Sequence, residues 1–439
     1  MNEETPMQTA ALRCLSGCAV AALTVSAGPA WGGAFQLNER SAKSQGMSFA
    51  DSVSGAKDPS YSSFNPAALG KVEGFQASGN ASGVFPISDG STTSAVLNGQ
   101  PVPPGALPSS VALDTNADRS GFVPASAFGY RINEDIAIGI SFFAPFGLST
   151  ENPDNFIGAA DGIQSNVLTV NIAPTVAWNV TENFSVGASL DLLFVDARLT
   201  SSALALDGSN TSVSFSVGGL WEPIEGTQIG VAYHHHHKDI EVDSTARFTE
   251  LAPFPLSTTA GTTFPSTVTA SLPGTAQIGL TQQITDKLSA SVEARYITWS
   301  VFEDIRTEVP ALGVDVSDPQ NYEDAFFVAV GAEYDVNETT AVRFGMAYDD
   351  SPTVDSTGVA EEDLGRTVRV PDADRLWFSV GASHRMDFFG FDTELDVAYS
   401  YLLALENPEV VLRSGPFAGS TIEYDGGAHI FSVGGTIRF

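Results

Sequence analysis

The last segment of the chain constrains the fold most strongly. Phe431, Val433, Ile437 and the terminal Phe439 alternate with small or polar residues, so the two faces of this segment differ. A strand of this kind that closes on a terminal aromatic residue is typical of an outer-membrane β-barrel, in which one face meets lipid and the other a polar interior. The sequence therefore favours a membrane protein that crosses the bilayer with strands.

An export signal is predicted at the start of the chain. The only long apolar stretch, from about residue 14 to residue 27, follows Arg13 and ends in Ala30-Trp31-Gly32, a small-x-small pattern suited to signal peptidase. It is too short and too early for a bilayer span. We therefore predict that residues 1–32 are a signal peptide that is removed, and that the mature protein starts near Gly33.

Short polar turns divide the rest of the chain into alternating segments. The clearest turns are Asn133-Glu134, Thr181–Asn183, Glu222–Gly226, Thr285-Asp286, Asp335–Asn337 and Arg385–Asp387. The segments between them are long enough for one strand up, an outer loop and one strand down. Six inner turns join seven hairpins, which predicts fourteen antiparallel strands with both chain ends on the inner side.

Side-chain alternation within the strands agrees with a barrel in lipid. Aromatic residues that would form an interfacial girdle stand just before four of the inner turns: Tyr130, Trp178, Trp221 and Tyr334. Glu293 and Arg295 fall on the polar face of their strand, where opposite charges can pair in a lumen. A soluble β-sandwich shows similar alternation but does not explain the unequal turns. The fold class is therefore all-β, with the transmembrane barrel over residues 73–439.

Residues 33–72 do not alternate, and they precede the first strand. They form either an external tail or a plug inside the barrel. This segment begins a series of motifs that resemble, in the same order, those of the FadL family of outer-membrane long-chain fatty-acid and hydrocarbon transporters. The motifs are Gly33–Glu39, Asn65-Pro66-Ala67, Phe146–Glu151, Tyr296–Arg306, Asp349–Pro352 and Val370–Trp377. The resemblance extends to Phe439.

The resemblance implies a 14-stranded barrel closed by an N-terminal hatch, residues 33–72, that carries the Asn65-Pro66-Ala67 signature. It also implies a kinked third strand that opens a gap in the wall, through which an apolar ligand leaves sideways into the membrane. We place the end of this kink at Gly147, because glycine tolerates the dihedral angles of a sharp bulge. Phe35 and Leu37, at the start of the hatch, are expected to contact the ligand and to move.

Two arginines are candidates for binding a fatty-acid carboxylate, since the guanidinium matches a carboxylate bidentately. Arg306 matches a basic position of the family's pocket. Arg198 lies two residues beyond Asp196, which stands where the family has arginine, and this departure leaves room for neutral hydrocarbons. Ion pairs at the barrel rim are the alternative for both arginines. Phe254 and Phe264, in a later loop, form either an apolar capture surface or a lid.

Other functional classes are less compatible with the sequence. The formal charge of −32 argues against nucleic acid as a partner. Alternate residues of a strand diverge, so the run His234–His237 offers at most two imidazoles on one side, too few for a closed zinc site. We therefore expect the histidine run to be a polar rim segment that holds no metal. For the protein as a whole we expect no cofactor and no enzymatic activity.

The sequence as a whole predicts a multi-pass barrel of the bacterial outer membrane, in contact with outer-membrane lipid and working as a monomer. Its predicted function is passive, ligand-gated uptake of long-chain fatty acids or hydrocarbons. A general hydrophilic porin is the main alternative, and it would leave the hatch without a purpose. An outer-membrane enzyme would require an acid/base cluster at the rim.

Overall fold

The computed structural model describes residues 33–117, 119–354 and 365–439. The signal peptide predicted for residues 1–32 lies outside these ranges. None of the helices in the described ranges is long and apolar enough to cross a bilayer.

Fourteen antiparallel strands form a closed barrel. In chain order they are β1 (Phe75–Ile87), β2 (Gly121–Arg131), β3 (Ile136–Phe143 and Gly147–Glu151), β4 (Gln164–Thr181), β5 (Phe184–Thr200), β6 (Leu204–Ile224), β7 (Thr227–His234 and His237–Phe248), β8 (Thr263–Leu272 and Thr275–Thr285), β9 (Leu288–Ile297 and Asp304–Val309), β10 (Val314–Pro319 and Ala325–Asn337), β11 (Thr340–Asp349), β12 (Arg375–Phe388), β13 (Phe391–Ala404) and β14 (Gly427–Arg438). Each strand pairs with the next, and β14 pairs with β1 from Gln76↔Arg438 to Ile87↔Gly427. Closure gives hydrogen-bond partners to the backbone N–H and C=O groups of the edge strands, which lipid cannot provide. The predicted barrel and its strand number are confirmed.

The inner turns agree with the sequence at four positions and differ at two. The last two turns lie at residues 338–339 and 389–390, beyond the predicted segments, because β10 and β12 continue to Asn337 and Phe388. Phe389 and Gly390 have positive φ angles of 53° and 86°. Two such residues suit a tight hairpin turn, and glycine adopts this conformation without steric cost. An aromatic residue in the turn hid this signal from the sequence pattern.

The two faces of the wall separate as predicted. The four girdle aromatics, of which Trp178 is the most exposed at 53%, all lie on the outward face close to inner turns. Glu293 and Arg295 are buried on the inward face of β9, where Arg295 Nε lies 2.6 Å from Glu293 Oε1.

A small sheet, absent from the sequence prediction, covers the outer side. It joins the loops after β1 and after β13, and its strands are Asp89–Leu97, Gln100–Val102, Asp114–Asn116, Glu409–Val411 and Thr421–Tyr424. Phe156, Val368 and Ile422 are among the buried residues of its own small hydrophobic core.

Residues 33–72, here called the hatch segment, fold into the barrel interior. The segment contains one short helix, α1 (Ala42–Gln45), and two 3₁₀ turns, Pro59–Ser63 and Pro66–Lys71. Nearly all of its residues are buried. Ion pairs connect it to inward carboxylates on three different strands: Lys43 with Glu394, Lys57 with Glu333, and Lys71 with Glu222. The segment is therefore packed against the inner wall and is not an external tail.

Candidate functional site

The third strand is interrupted in mid-wall. Along β4, Phe143 pairs with Asn171 and Gly147 pairs with Leu168, so three residues of β3 face only two of β4. One extra residue makes a bulge and bends the strand. Pro145 occupies the centre of this interruption, and proline has no N–H to donate to the ladder. We call residues 144–146 the β3 break.

The β3 break ends at Gly147, but the dihedral argument made from the sequence is wrong. Gly147 is not among the described residues with a positive φ angle. A side chain of β4 stabilises the bend instead: Thr169 Oγ1 accepts a hydrogen bond from Phe146 N at 3.1 Å and donates to Phe146 O. The hydroxyl thus satisfies two backbone groups that the ladder leaves free.

The β3 break leaves a gap in the hydrogen-bonded wall. The β2–β3 ladder runs only from Arg131↔Ala137 to Ser126↔Phe142. Within the described residues, Gly121–Ala125 pairs with β1 on one side and with no strand on the other. At the outer end, Arg119 Nε lies 2.9 Å from Glu151 Oε2, both exposed. Five residues of β2 therefore border an opening between two closed ends.

The start of the hatch segment hydrogen-bonds to the β3 break. Leu37 N donates to Pro145 O at 2.8 Å, and Gly147 N donates to Phe35 O at 3.0 Å. These two bonds make Gln36 and Phe146 an antiparallel bridge. The hatch segment thus provides backbone partners for the carbonyl of Pro145 and the N–H of Gly147.

A buried aromatic cluster surrounds Phe35. Its ring centroid lies 4.9 Å from that of Trp299, 5.5 Å from that of Phe302 and 6.1 Å from that of Phe146. The Nε1 of Trp299 has no hydrogen-bond partner among the described residues. An apolar cluster with one free donor, next to a gap in the wall, has the composition of a site for a hydrophobic ligand.

The first two described residues are held by carboxylates. Gly33 N lies 3.1 Å from Asp349 Oδ2, and Ala34 N donates to Asp372 Oδ2 at 2.7 Å. Arg375 is buried beside them, with Nη2 2.9 Å from Asp372 Oδ1. These carboxylates belong to the motifs Asp349–Pro352 and Val370–Trp377, so both motifs bind the start of the hatch segment.

Asn65 fixes the middle of the hatch segment. Its Nδ2 donates to Val53 O at 2.7 Å and to Gly219 O of β6 at 3.1 Å, while its Oδ1 accepts from Ala67 N at 3.0 Å. Pro66 opens the 3₁₀ turn that follows, where its missing N–H is not needed. The Asn-Pro-Ala motif therefore works as a cap bonded to the wall.

A narrow polar cavity lies beside the β3 break. Arg40, Phe143, Pro145, Asp191 and Arg295 are among its lining residues, and its open volume is about 50 Å³. Burial, reinforced by the charge of Arg295, lowers the pKa of Arg40 to about 9. Two arginines, of which Arg295 is paired with Glu293, thus line a polar cavity next to the β3 break.

The two arginines selected from the sequence lie elsewhere. Arg306 is exposed, and its guanidinium donates to both carboxylate oxygens of Asp315, at 2.9 and 2.8 Å. Arg198 is exposed on the same outward face of β5 as Phe194. Neither lines the cavity. The rim ion pair matches the placement of Arg306, and a ligand role for either residue stays a prediction without geometric support.

The loop phenylalanines separate in the structure. Phe254 is 85% exposed, whereas Phe264 is half-buried against a small core that includes Phe248 and Val309. Only Phe254 therefore presents its ring as a surface for capture. Capture there stays a prediction.

The histidine run interrupts β7, and His234 points inward. Its Nε2 lies 2.7 Å from Phe64 O of the hatch segment, and its Nδ1 lies 2.7 Å from Ser216 Oγ. Within the described ranges no group of three or more His, Cys, Asp or Glu side chains is arranged to hold a metal ion.

Sequence reasoning missed several residues of this site. Pro145 inside an alternating strand was a visible signal, since proline is confined to strand edges and bulges. Arg40 stood next to a recognised motif, but only the fold brings it to the wall gap. Thr169 carried no signal, because threonine is common in strands.

Comparisons with known proteins agree with this geometry. The chain is 24% identical to a long-chain fatty acid transport protein of Salmonella typhi, over 95% of this chain and 97% of that protein. It is 27% identical to a 47 kDa outer membrane protein of Pasteurella multocida, covering 88% and 91%. The crystal structure of a Pseudomonas aeruginosa FadL homologue superposes with a TM-score of 0.80 at 22% identity, covering 92% of this chain and all of that one. A toluene transporter of Ralstonia pickettii, TbuX, superposes with a TM-score of 0.57 at 19% identity, covering 87% and 94%.

The decisive match is that of a family model. The model for outer membrane protein transport proteins (OMPP1/FadL/TodX) matches residues 23–439, nearly the whole chain. The predicted location in the bacterial outer membrane is thereby confirmed. The chain belongs to the outer membrane protein transport protein family.

Proposed function

We propose that this protein takes up long-chain fatty acids or hydrocarbons passively and releases them sideways through the gap at the β3 break. The observation that carries the proposal is the wall gap between β2 and β3, beside which the start of the hatch segment is bridged to the β3 break. A ligand that enters the aromatic cluster displaces Phe35. The backbone bonds from Phe35 and Leu37 to the β3 break are then lost, and the gap becomes accessible.

The filled lumen favours this function over a hydrophilic porin. A porin requires a continuous aqueous path, and here the buried hatch segment bonds to inward side chains on several strands. Transfer of an apolar molecule from water to lipid lowers its free energy by about 25 cal/mol per Å² of apolar surface. Uptake into the membrane therefore requires no energy source.

The test uses protein reconstituted into lipid vesicles. We expect uptake of labelled fatty acid or toluene together with little ion conductance. Deletion of Pro145 equalises the residue count of β3 and β4 across the break and so restores a continuous ladder. This variant should lose uptake but still bind ligand. Deletion of Pro104, in the outer loop after β1, is the matched control and should leave uptake unchanged.

Two results would contradict the proposal. High steady conductance without ligand would favour the porin. Normal uptake by the Pro145 deletion variant would show that the ligand does not leave through this gap.

A further inference from the structure

One cation in the polar cavity lacks a counter-ion. Arg40 lies on the hatch segment, with its guanidinium carbon 4.2 Å from the ring centroid of Phe143 and 5.0 Å from that of Phe64. Its Nη1 donates to Ser63 O at 2.6 Å, whereas its buried Nε has no hydrogen-bond partner among the described residues. No carboxylate of the described chain lies within ion-pairing distance of it. A buried donor on a charged group is costly unless an acceptor reaches it.

The neighbouring charged groups are already occupied. Arg295, the other arginine of the cavity, donates to Glu293, to Asn38 at 2.6 Å and to Ser52 at 3.0 Å. Asp191 accepts from Ser216 and from Asn171 at 3.2 Å. Arg40 is therefore the group of this cavity that still has bonding capacity for an anion.

The size of the cavity limits what it can hold. Its open volume of about 50 Å³ is a few times the roughly 10–15 Å³ that one buried water requires on the same measure, so it accommodates a carboxylate and not a long chain. Phe146 lines the same cavity and also belongs to the aromatic cluster. A tail can thus extend from the cavity along aromatic surface towards the wall gap.

From this arrangement we infer that Arg40 binds the carboxylate of a long-chain fatty acid, and that the protein prefers acids to neutral hydrocarbons. The inference rests on the proposed function and adds its substrate class. Two aromatic faces hold the guanidinium plane, and its edge meets the planar carboxylate in a charge-assisted pair. A neutral hydrocarbon leaves Nε unpaired and gains nothing from Arg40.

The test compares hexadecanoic acid with hexadecan-1-ol, which has the same chain without the charge. Equilibrium binding to the purified full-length protein is measured at a pH where the acid is ionised. Wild type should bind the acid at least about ten-fold more tightly, since hydrogen bonds to charged groups contribute roughly 1.5–3 kcal/mol. Arg40→Gln should abolish this preference and leave the affinity for the alcohol unchanged. Arg385→Gln, an exposed arginine near the inner end of β12, is the matched control and should change neither affinity.

Equal affinity of wild type for acid and alcohol would overturn the inference, and this comparison needs no variant. An unchanged preference in Arg40→Gln would also overturn it. In either case the proposed function would stand, provided that the protein still binds hexadecanoic acid and hexadecan-1-ol and the vesicles still take up ligand. Failure of wild type to bind either compound would overturn the inference, whereas the proposed function fails only if the vesicles take up neither fatty acid nor toluene. Arg40→Lys, which keeps the charge but loses the fork, should bind the acid with intermediate affinity.

Discussion

A methyl group added at Gly230 of β7 would lie 2.0 Å from the carbonyl oxygen of Val53 and 2.5 Å from its carbonyl carbon. The hatch backbone thus touches the wall, and only a residue without Cβ permits this approach. Val53 O is also the acceptor for Asn65 Nδ2. The absence of a side chain at Gly230 and the hydrogen bond from Asn65 therefore both hold the Val53 carbonyl group at the wall.

Gly230→Ala should displace the middle of the hatch segment. Overpacking costs about 1–3 kcal/mol, and here the backbone of Val53 must move. We expect higher basal ion conductance in planar bilayers and a lower unfolding free energy. Gly79→Ala is the matched control, because no atom lies within 4 Å of a Cβ added at Gly79. Equal conductance of the two variants would show that close packing at Gly230 does not seal the lumen.

Single residues were the least predictable level from the sequence. Two motifs nevertheless identified residues of the site. Phe35 and Leu37 bond to the region of the β3 break, and Asn65 bonds to the wall. The direction of the Arg306 side chain could not be predicted, because alternation does not fix side-chain direction near the rim. In the structure Arg306 is exposed and pairs with Asp315. Arg40 could not be selected, since its lack of a partner is a property of the folded cavity.

Among the elements, β3 is interrupted where three of its residues face only two of β4. A strand in lipid must satisfy every backbone group. Pro145 removes one donor, Thr169 bonds to both backbone groups of Phe146, and the hatch segment bonds to Pro145 O and Gly147 N. Both β4 and the hatch segment therefore contribute to the stability of the β3 break.

Thr169→Val should destabilise the β3 break. Valine keeps the shape of threonine but leaves the N–H and C=O of Phe146 without their partner, at a cost of roughly 1–3 kcal/mol. We expect a lower unfolding free energy, measured by denaturant titration, and faster uptake in vesicles. Thr211→Val, on the exposed outward face of β6, should change neither quantity. A Thr169→Val protein as stable as wild type would mean that water or lipid head groups replace the hydroxyl.

Elements were predicted well where alternation and turn residues agreed. The hairpin count followed from six polar turns, and the barrel has the fourteen strands they imply. The turn at Phe389-Gly390 was misplaced because an aromatic residue occupies it. The outer sheet was missed, since its strands are short and pair across distant loops, such as Gly90 with Tyr424.

At the scale of the whole molecule, buried ion pairs join the hatch segment to the barrel. Lys43 is 2% exposed and lies 3.0 Å from both Asp58 of the hatch segment and Glu394 of β13. Burial alone would raise the pKa of Asp58, but the charge of Lys43 and bonds from Ser60 outweigh it and hold that pKa below its ordinary value of 3.8. A depressed pKa contributes stability that is present above pH 3.8 and is lost as pH falls through the lower folded value. The Lys43–Asp58 pair should therefore weaken in strong acid.

Lys43→Met should loosen the hatch segment at neutral pH. Removing Lys43 leaves the buried Asp58 carboxylate without its cation, whereas Glu394 keeps Arg438 at 2.9 Å, and breaking a buried pair typically costs about 3–5 kcal/mol. We expect a lower unfolding free energy and raised basal conductance, with the barrel still closed because its ladder is independent of Lys43. Lys238→Met is the matched control, since that lysine is exposed and lies 3.9 Å from Asp239, a pair worth roughly 0–1 kcal/mol. If both variants unfold at the same denaturant concentration as wild type, the Lys43 ion pairs do not hold the hatch segment, and its other contacts with the wall must do so.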